Sequence, residues 1–523
     1  MTTTPTPATT PGGSAPERED AVAPAPRHER LPLALAGLVT GGAGLAVSIA
    51  ATAVLRERLT PPQAVAEAVI EVTPGRVAET LVHLLKHWDK PVLIAGVVVA
   101  LVLLSAWAGV LTRRGMWRGY AVFLVMAGVA GAAVLSRPGS TPVTVLPVVL
   151  GGMTWIVVLS FLLGAEPTAA PRDRRAFLIR TGAVALGAVV VGVGGRVIGH
   201  KRRAVEEARA RLRLPVTKGK VPPGANVGVD GLEPWRVSAG NFYRIDTAVA
   251  VPVVDVAQWK LRIHGMVDKE LSLSFKDLEA RRLTEAWVTL CCVSNPVGGD
   301  LIGNAWWSGV KVSDLLAEAG VSPDADAVLQ TSEDGWTCGT PLSALTDDRN
   351  ALLAIAMNGS PLPLEHGFPV RMVVPGLYGY VSATKWVVDL EVTRFSEFDA
   401  FWTRRGWSEQ GPVKTESRID VPPSNHRVMA GDVTVAGVAW AQHTGIEKVE
   451  VQLDGGAWTE IELGRVPDAD TWVQWHGTVP ATPGVHKLAV RATDSSGYTQ
   501  TAVQRDVVPD GATGWHTVEY TAE

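Results

Sequence analysis

The sequence of 523 residues contains little cysteine and has no strong charge imbalance. Its three cysteines are Cys291, Cys292 and Cys338, two of which are adjacent. Adjacent cysteines pair only with strain, so a disulfide framework is excluded. No CxxC motif, HExxH motif or Cys/His cluster is present, which excludes the usual zinc sites. The formal net charge of −4 argues against a nucleic-acid partner.

Charged residues are scarce as well, at 19% against 47% hydrophobic residues. Four apolar runs, at about residues 31–55, 91–111, 118–136 and 142–164, contain no acidic residue, lysine or histidine. Each run is long enough to cross about 30 Å of hydrocarbon as a helix. Buried helices of a large soluble core are the alternative, but four such runs close together favour a membrane region. Without histidine, the runs also lack a pair of axial haem ligands.

The segments around the first runs differ in composition. Residues 1–30 are rich in Thr, Pro and Ala, which predicts a disordered cytoplasmic tail. Residues 60–90 place apolar side chains at helical spacing among charges. That pattern predicts an amphipathic segment lying against the membrane or against the other helices.

Arginine placement predicts the orientation of the membrane region. Arg113, Arg114 and Arg118 follow the second run, and Arg172, Arg174 and Arg175 follow the fourth. The loop with Arg137 has a single arginine. Because positive loops stay in the cytoplasm, the two arginine-rich loops and the N-terminus are predicted to be cytoplasmic.

A fifth apolar run, at about 177–199, follows the sequence Asp173-Arg-Arg-Ala-Phe-Leu-Ile-Arg180. The segment resembles a twin-arginine export signal, which carries folded cargo, with Arg174 and Arg175 as its pair. An ordinary positive flank of a membrane helix is the alternative. The fifth run therefore predicts an uncleaved anchor with all later residues outside the cytoplasm. The resulting localisation is a multi-pass protein of the cell membrane.

Two adjacent cysteines end a short β-type run, Val288–Cys292, and a Gly-rich turn and a helical pattern, Val312–Gly320, come after them. A thiol at such an edge can be reactive, although free cysteines are more often buried and inert. Side chains alternate along a strand, so the two thiols point to opposite faces. A cysteine hydrolase would need a His and an acid in known relation to the thiol, and the sequence marks no such set.

The segments Thr289–Asn295 and Ile302–Gly309 resemble the molybdenum-ligand segment of the sulfite oxidase family of molybdopterin enzymes. A second block, Met357–Tyr380 with Thr384–Trp386, resembles the segment of that family that cradles the cofactor. The resemblance covers roughly residues 235–505 and implies a membrane-anchored bacterial type with a molybdenum-molybdopterin cofactor. It implies that Cys292 is the metal ligand and catalytic thiolate, a role suited to a soft anionic donor.

The resemblance also implies which residues bind the cofactor. Cations and hydrogen-bond donors suit its phosphate and its pterin. The implied set is Tyr243, Arg244, Thr331, His366, Arg371, Ala383, Thr384 and Lys385. Tyr378 has two interpretations: it lines the substrate side as a catalytic residue, or it packs.

Three further segments follow the membrane region. Residues 201–234 are predicted to form a linker, and residues 235–410 alternate strands and helices as an α+β domain with a mixed sheet. Residues 411–523 show short alternating strands and turns, which indicate a β-sandwich. This last segment resembles the immunoglobulin-like dimerisation domain of the same family, which implies a homodimer.

The predicted function is two-electron oxygen-atom transfer on a small extracytoplasmic molecule, either sulfite-like or a sulfoxide. Sulfite-oxidising members carry arginine just after the ligand-loop Asn, whereas Pro296 and Val297 follow Asn295 here. Losing that cation should weaken the binding of a doubly charged anion. A separate electron-transfer partner is expected. The alternative function is a non-enzymatic surface adhesion module built on the immunoglobulin-like domain.

Overall fold

The fold is described by a computed structural model. It covers residues 27–163 and 171–523, except 56, 58, 138–139, 199–200 and parts of 75–87. The predicted tail therefore lies almost entirely outside the described residues. The described chain comprises an N-terminal helical region, an α+β domain and an all-β domain.

The N-terminal region consists of helices whose lengths follow the apolar runs. The helices are α1 (Arg27–Val54), α2 (Pro61–Val72), α3 (Asp89–Leu111), α4 (Met116–Leu135), α5 (Leu146–Leu163) and α6 (Pro171–Ile198). Among the described residues, four helical stretches are long and apolar enough to cross a membrane: Arg30–Val54, Lys90–Arg114, Met116–Leu135 and Pro142–Leu163. These match the first four predicted runs. The fifth run lies in α6, where the apolar part, Phe177–Gly192, is shorter.

Small residues let α1 pack closely on its neighbours. A β-carbon on Gly37 would collide with the Ser105 carbonyl oxygen of α3, and one on Gly151 of α5 would collide with the Ser48 hydroxyl. Close approach at small residues is the usual packing of membrane helices, where no hydrophobic force acts between apolar surfaces. The helix α1 is therefore the centre of this region.

The first part of the predicted amphipathic segment forms α2, which lies between the other helices and the α+β domain, and much of the second part lies outside the described residues. The Val249 amide donates to Glu67 Oε1 at 3.4 Å, and Arg405 donates to the Glu71 carbonyl oxygen at 2.5 Å. Arg137, which follows α4, forms an ion pair with Glu71. The helix α2 thus joins the membrane-type helices to the rest of the protein.

The α+β domain contains two sheets. Its strands are β1 (Lys260–Gly265), β2 (Leu271–Ser274), β3 (Thr284–Cys291), β4 (Ile302–Lys311), β5 (Ala327–Ser332), β6 (Thr337–Pro341), β7 (Leu352–Met357), β8 (Ser360–Pro361), β9 (Arg371–Val373) and β10 (Val387–Thr393). The first sheet has the order β2-β1-β10-β5-β6, with β1 parallel to β10, so the predicted mixed sheet is confirmed. The second has the order β3-β4-β7-β8, with β9 beside β7.

Four helices accompany these sheets: α7 (Lys201–Arg211), α8 (Phe275–Glu279), α9 (Val312–Ala319) and α10 (Ser343–Thr346). The predicted helix after β4 is α9, which ends where Gly320 adopts a φ of +70°. Glycine ends helices well because it takes this left-handed conformation without strain.

The C-terminal residues form one curled eight-stranded sheet. The strands are β11 (Glu416–Val421), β12 (His426–Val428), β13 (Gly431–Trp440), β14 (Ile446–Leu453), β15 (Trp458–Leu463), β16 (Val473–Ala481), β17 (Gly484–Asp494) and β18 (His516–Ala522). Their order is β11-β13-β16-β15-β14-β17-β18-β12. Along β14, Val449 and Val451 are buried because successive side chains alternate between core and solvent. The domain is all-β as predicted, and its immunoglobulin-like character stays a prediction.

The all-β domain forms direct hydrogen bonds with β3. The Thr289 amide donates to the Asp470 carbonyl oxygen at 2.9 Å, and the Thr289 hydroxyl accepts from the Trp472 amide at 2.8 Å. The Trp235 and Trp472 indoles each donate to the other residue's carbonyl oxygen, at 3.2 and 2.9 Å. The strand that leads to the two cysteines is therefore fixed from two domains.

Candidate active site

Cys292 lies in a well-fixed loop between β3 and β4. Its amide donates to the Leu301 carbonyl oxygen at 2.9 Å, and its own carbonyl oxygen accepts from the Asn295 amide at 3.1 Å. The Asn295 side-chain oxygen accepts from the Leu301 amide at 2.9 Å. Only 8% of Cys292 is exposed. The loop therefore holds the thiol in one place, as a metal ligand requires.

Cys291 is more deeply buried and has a different environment. Its thiol lies 3.5 Å from the Cys292 carbonyl oxygen, to which it donates. Burial raises the pKa of Cys291 well above its usual value, and the neighbouring Cys292 and Glu416 raise it further. A thiol that stays protonated is a poor nucleophile and a poor metal ligand. These observations favour Cys291 as a packed neighbour.

Tyr243 interacts electrostatically with both thiols and with Arg371. Burial raises its pKa well above 10, Cys292 and Cys291 raise it further, and Arg371 opposes them. The phenol is therefore protonated and available as a donor. Its ring stacks on Phe242 at 5.2 Å, and Phe242 meets Trp307 edge-on at 5.7 Å.

Arg371, the first residue of β9, is a buried cation. Its guanidinium lies 5.1 Å from the centre of the Trp307 ring and donates to the His366 carbonyl oxygen at 3.3 Å. No ion pair to Arg371 is found within the described part of the chain. Burial lowers its pKa to about 10, so it remains charged at neutral pH. A buried cation without a carboxylate is suited to an anionic ligand.

His366 is neutral in this environment. Burial and the nearby Arg371 lower its pKa to about 4. Its Nε2 donates to the Ala239 carbonyl oxygen at 2.9 Å, which fixes the tautomer because the carbonyl only accepts. The imidazole therefore adds a hydrogen-bonding group beside Arg371 without adding charge.

Lys385 and Arg244 meet at one carboxylate. Lys385 Nζ lies 2.9 Å and Arg244 Nε 2.8 Å from Asp246 Oδ2. Burial lowers the pKa of Lys385 to about 8 despite Asp246, because Arg371 and Arg244 add to the positive potential. The two predicted cations thus lie together near Arg371, held by an acid that the sequence did not mark.

The remaining predicted residues lie at different distances from this group. The Ala383 carbonyl oxygen accepts from Arg371 at 3.5 Å, and the Thr384 carbonyl oxygen accepts from the Met372 amide at 2.8 Å. Thr331 lies on β5 and pairs with β6 and β10 rather than with the group around Arg371. Tyr378 is 3% exposed, and its hydroxyl accepts from the Lys414 amide at 3.3 Å. That contact with the all-β domain favours the packing interpretation.

Sequence reasoning missed Asp246, Trp307 and Phe242. Trp307 lies within the first matching segment, so its position was marked but its cation–π contact with Arg371 was not. Phe242 adjoins Tyr243 and meets His366 edge-on at 5.7 Å. Asp246 had no signal, because a single acid in a loop is common and its partners are distant in the chain.

The donor set fits a metal cofactor with an anionic group. One buried thiol on a fixed loop suits a soft metal, while a buried unpaired arginine, a neutral imidazole and two further cations suit a phosphate and a heterocycle. A β-carbon on Gly379 would lie 3.9 Å from Tyr243 Oη, so the backbone there borders the same space. Fold and site together define a cofactor-dependent redox enzyme rather than a hydrolase.

Comparisons with known proteins agree with that class. Residues 248–402 match the family model described as the oxidoreductase molybdopterin binding domain. The chain is 35% identical over 201 residues to the uncharacterized oxidoreductase YuiH of Bacillus subtilis (strain 168), covering 38% of this chain and 92% of YuiH. It therefore belongs to the sulfite oxidase family of molybdopterin-dependent oxidoreductases. It is an oxidoreductase, and its cofactor is molybdenum-molybdopterin.

Two relatives of lower identity match longer parts of this chain but smaller shares of their own length. Sulfite oxidase of Gallus gallus is 29% identical, covering 47% of this chain and 64% of that protein. Mitochondrial sulfite oxidase of Homo sapiens is 31% identical, covering 49% and 55%. The crystal structure of the sulfane dehydrogenase SoxCD from Paracoccus pantotrophus covers 61% of this chain and 92% of that chain, with a TM-score of 0.48 and 23% identity. Family membership favours the enzyme over the alternative of a non-enzymatic adhesion module.

Proposed function

We propose that this protein is a membrane-tethered molybdopterin oxidoreductase that transfers an oxygen atom to or from an extracytoplasmic sulfur compound, with a sulfoxide as the substrate class. The observation that carries the proposal is that Tyr243 interacts electrostatically with both Cys292 and Arg371, a buried cation with no ion pair among the described residues, in a domain joined through α2 to membrane-type helices. When bound, the cofactor exchanges two electrons and one oxygen atom with the substrate.

Each of the following predicted site residues has its own role in binding the cofactor. Cys292 is the metal ligand, because it is the less buried thiol on a fixed loop. Arg371 and Lys385 bind the phosphate, since the first offers a planar fork and the second a point charge. His366 and the protonated Tyr243 hydrogen-bond to polar atoms of the cofactor, and Ala383 and Thr384 border it with backbone.

The substrate cavity that we propose lies between the ligand loop and the all-β domain. It has a volume of about 610 Å³, and its lining includes Pro296, Val297, Arg505, Asp506 and Trp515. The one arginine is balanced by the adjacent aspartate, so this lining carries little excess positive charge. A doubly charged sulfite ion would be poorly compensated there, whereas a neutral sulfoxide needs no cation.

His516 adds no charge to the cavity. Burial lowers its pKa, Arg418 lowers it further, and its Nδ1 accepts from the Ile419 amide at 3.0 Å. A β-carbon on Gly298 would collide with its ring, so the ring packs directly on the ligand loop. The all-β domain therefore borders the proposed substrate cavity with an uncharged imidazole.

Substrate preference tests the proposal. With a reduced dye as electron donor, we expect the purified protein to convert dimethyl sulfoxide or methionine sulfoxide to the thioether and water, using two electrons and two protons. Its kcat/KM for sulfite oxidation should be lower. Efficient sulfite oxidation with no sulfoxide turnover would contradict the proposed substrate class while leaving the cofactor unaffected.

A matched variant sharpens this test. Val297→Arg introduces a cation into the cavity wall, and we expect it to increase kcat/KM for sulfite by roughly tenfold or more, since a charge-assisted hydrogen bond contributes that much. Val297→Met, which is uncharged, serves as the control. An equal change in both variants would indicate a packing effect rather than a charge effect.

Contacts between loops support the proposed topology. The helix α2, the loop after α4 with Arg137 and the start of α3 all lie on the side of the catalytic domain. These are the segments that the arginine distribution predicts to be outside the cytoplasm. The twin-arginine signal is proposed to lie at the start of α6, where Arg175 is exposed.

Labelling of introduced cysteines tests the topology. The three native cysteines are buried, so they give little background. We expect a membrane-impermeant maleimide to label Lys260→Cys and Thr141→Cys in intact cells, but Arg114→Cys only after permeabilisation. Labelling of Arg114→Cys with protection of Lys260→Cys would reverse the orientation. The separate electron-transfer partner and the homodimer remain predictions.

A further inference from the structure

Asp246 joins the membrane-type helices to the proposed phosphate end of the cofactor site. Besides Lys385 and Arg244, it accepts from Lys90, the second residue of α3. Lys90 lies outside residues 248–402, which match the molybdopterin-binding family model. It is also separated from Asp246 by 156 positions in the chain. One carboxylate thus holds two predicted cofactor-binding cations and one cation from the membrane region.

The charges around Asp246 do not balance. Lys90, Arg244, Lys385 and the nearby Arg371 are four cations, and the next carboxylate, Glu365, forms its own ion pair with Arg202 at 2.7 Å. The Asp246 side chain is only 3% exposed. Excess buried positive charge is costly unless an anion is bound with it.

The titration behaviour of Asp246 agrees with this excess. Burial by itself raises the pKa of Asp246, but Lys385, Lys90 and Arg244 together bring it well below its usual value. Asp246 is therefore charged at any physiological pH and compensates a single cation. The remaining positive charge is available to a phosphate.

We propose that Lys90 is a further cofactor-binding residue: the start of α3 closes the phosphate end of the site, so that the membrane region completes it. Lys90 is 21% exposed, less than the 41% of Arg244. Its ammonium shares one carboxylate with two cations already assigned to the cofactor. A lysine is a mobile point charge, so it can turn from the carboxylate to a phosphate. The inference rests on the cofactor site proposed above.

The alternative role of the ion pair between Lys90 and Asp246 is only to hold the N-terminal helices against the α+β domain. Other contacts also join the N-terminal helices to the α+β domain, among them the hydrogen bond from Arg405 to the Glu71 carbonyl oxygen. Arg405 lies at the same boundary between the N-terminal helices and the α+β domain, but it has no described contact with Asp246. Arg405→Gln is therefore a matched control that weakens docking without removing charge from the cofactor site.

Retention of the pterin separates the two roles. Wild type, Lys90→Gln, Lys90→Arg and Arg405→Gln are purified in detergent as full-length protein, diluted and sampled over time. The pterin remaining on the protein is measured by its fluorescence after oxidation. We expect Lys90→Gln to lose the cofactor roughly tenfold to a hundredfold faster than wild type, as for a charge-assisted hydrogen bond. Lys90→Arg and Arg405→Gln should stay near the wild-type rate.

Thermal unfolding of the cofactor-free proteins, made in a host that cannot synthesise the pterin, gives the second readout. We expect Lys90→Gln to unfold at or above the wild-type temperature, because one excess cation is removed. Equal pterin retention in Lys90→Gln and wild type would overturn the inference, as would equal losses in Lys90→Gln and Arg405→Gln. A wild type that never binds pterin would instead overturn the proposed function.

Discussion

Replacing Cys292 by alanine is expected to abolish turnover while leaving the protein folded. Removing residues that merely support metal ligands already costs about tenfold to a hundredfold, so loss of Cys292 as the proposed ligand should cost more than about a hundredfold. The loop should survive because the backbone atoms of Cys292 and Leu301 make its hydrogen bonds. Molybdenum content, metal spectroscopy and activity are the measurements.

Cys291→Ala is the matched control for that variant. The two residues are adjacent, both are buried and neither forms a disulfide. Because the Cys291 thiol is held protonated by burial, we expect its loss to reduce stability slightly and to leave the metal spectrum unchanged. A spectrum changed by Cys291→Ala and unchanged by Cys292→Ala would reverse the assignment.

Replacing Arg371 by methionine is expected to change stability and cofactor binding in opposite directions. Arg371 is 5% exposed and forms no ion pair with the described residues. Exchanging an unfavourably buried charge for an apolar side chain of similar size should raise the free energy of unfolding of the cofactor-free protein, by about 1 to 4 kcal/mol if it behaves like other buried ionic groups. If Arg371 binds the cofactor phosphate as proposed, its loss should weaken cofactor retention by at least about a hundredfold.

Arg418→Met is the control, because Arg418 is equally buried but paired. Its guanidinium bonds both oxygens of Asp420, at 2.6 and 3.1 Å. Removing it leaves a partly buried carboxylate without its cation, so we expect a loss of about 3 to 5 kcal/mol. Chemical denaturation of the cofactor-free proteins measures both variants. A large loss of stability in Arg371→Met would show that Arg371 is structural rather than reserved for an anion.

The sequence predicts most of the fold because local patterns decide it. Long apolar runs with few charges favour long helices, because a helix satisfies its own backbone hydrogen bonds. The first four runs therefore coincide with helices in the structure. The turn between β14 and β15 also follows from local sequence, since Asp454 and Gly455 are residue types that tolerate the positive φ both adopt there. The fifth run is shorter in α6, and its role depends on neighbours and lipid that composition does not describe.

The site was only partly predictable. The resemblance predicts Cys292, Arg371 and His366 as site residues, and the structure brings Arg371 and His366 together. Asp246 and Lys90 could not be found, because their pairing joins loops 156 positions apart and leaves no local pattern. The position of His516 beside the cavity likewise depends on how the α+β domain and the all-β domain pack against each other. The roles of all the predicted site residues, including Thr331 and Tyr378, stay predictions.

The bonds from Thr289 to Asp470 and Trp472 also constrain the order of biogenesis. Thr289 precedes Cys292 by three residues, but its partners are synthesised about 180 positions later. The ribosome has therefore made nearly the whole chain before the strand bearing the thiol is fixed, long after α1 to α5 have emerged. Contacts of such high sequence separation form slowly and late. We therefore expect the strand that leads to the thiol to be fixed among the last parts of the catalytic domain, after the helices of the N-terminal region have formed.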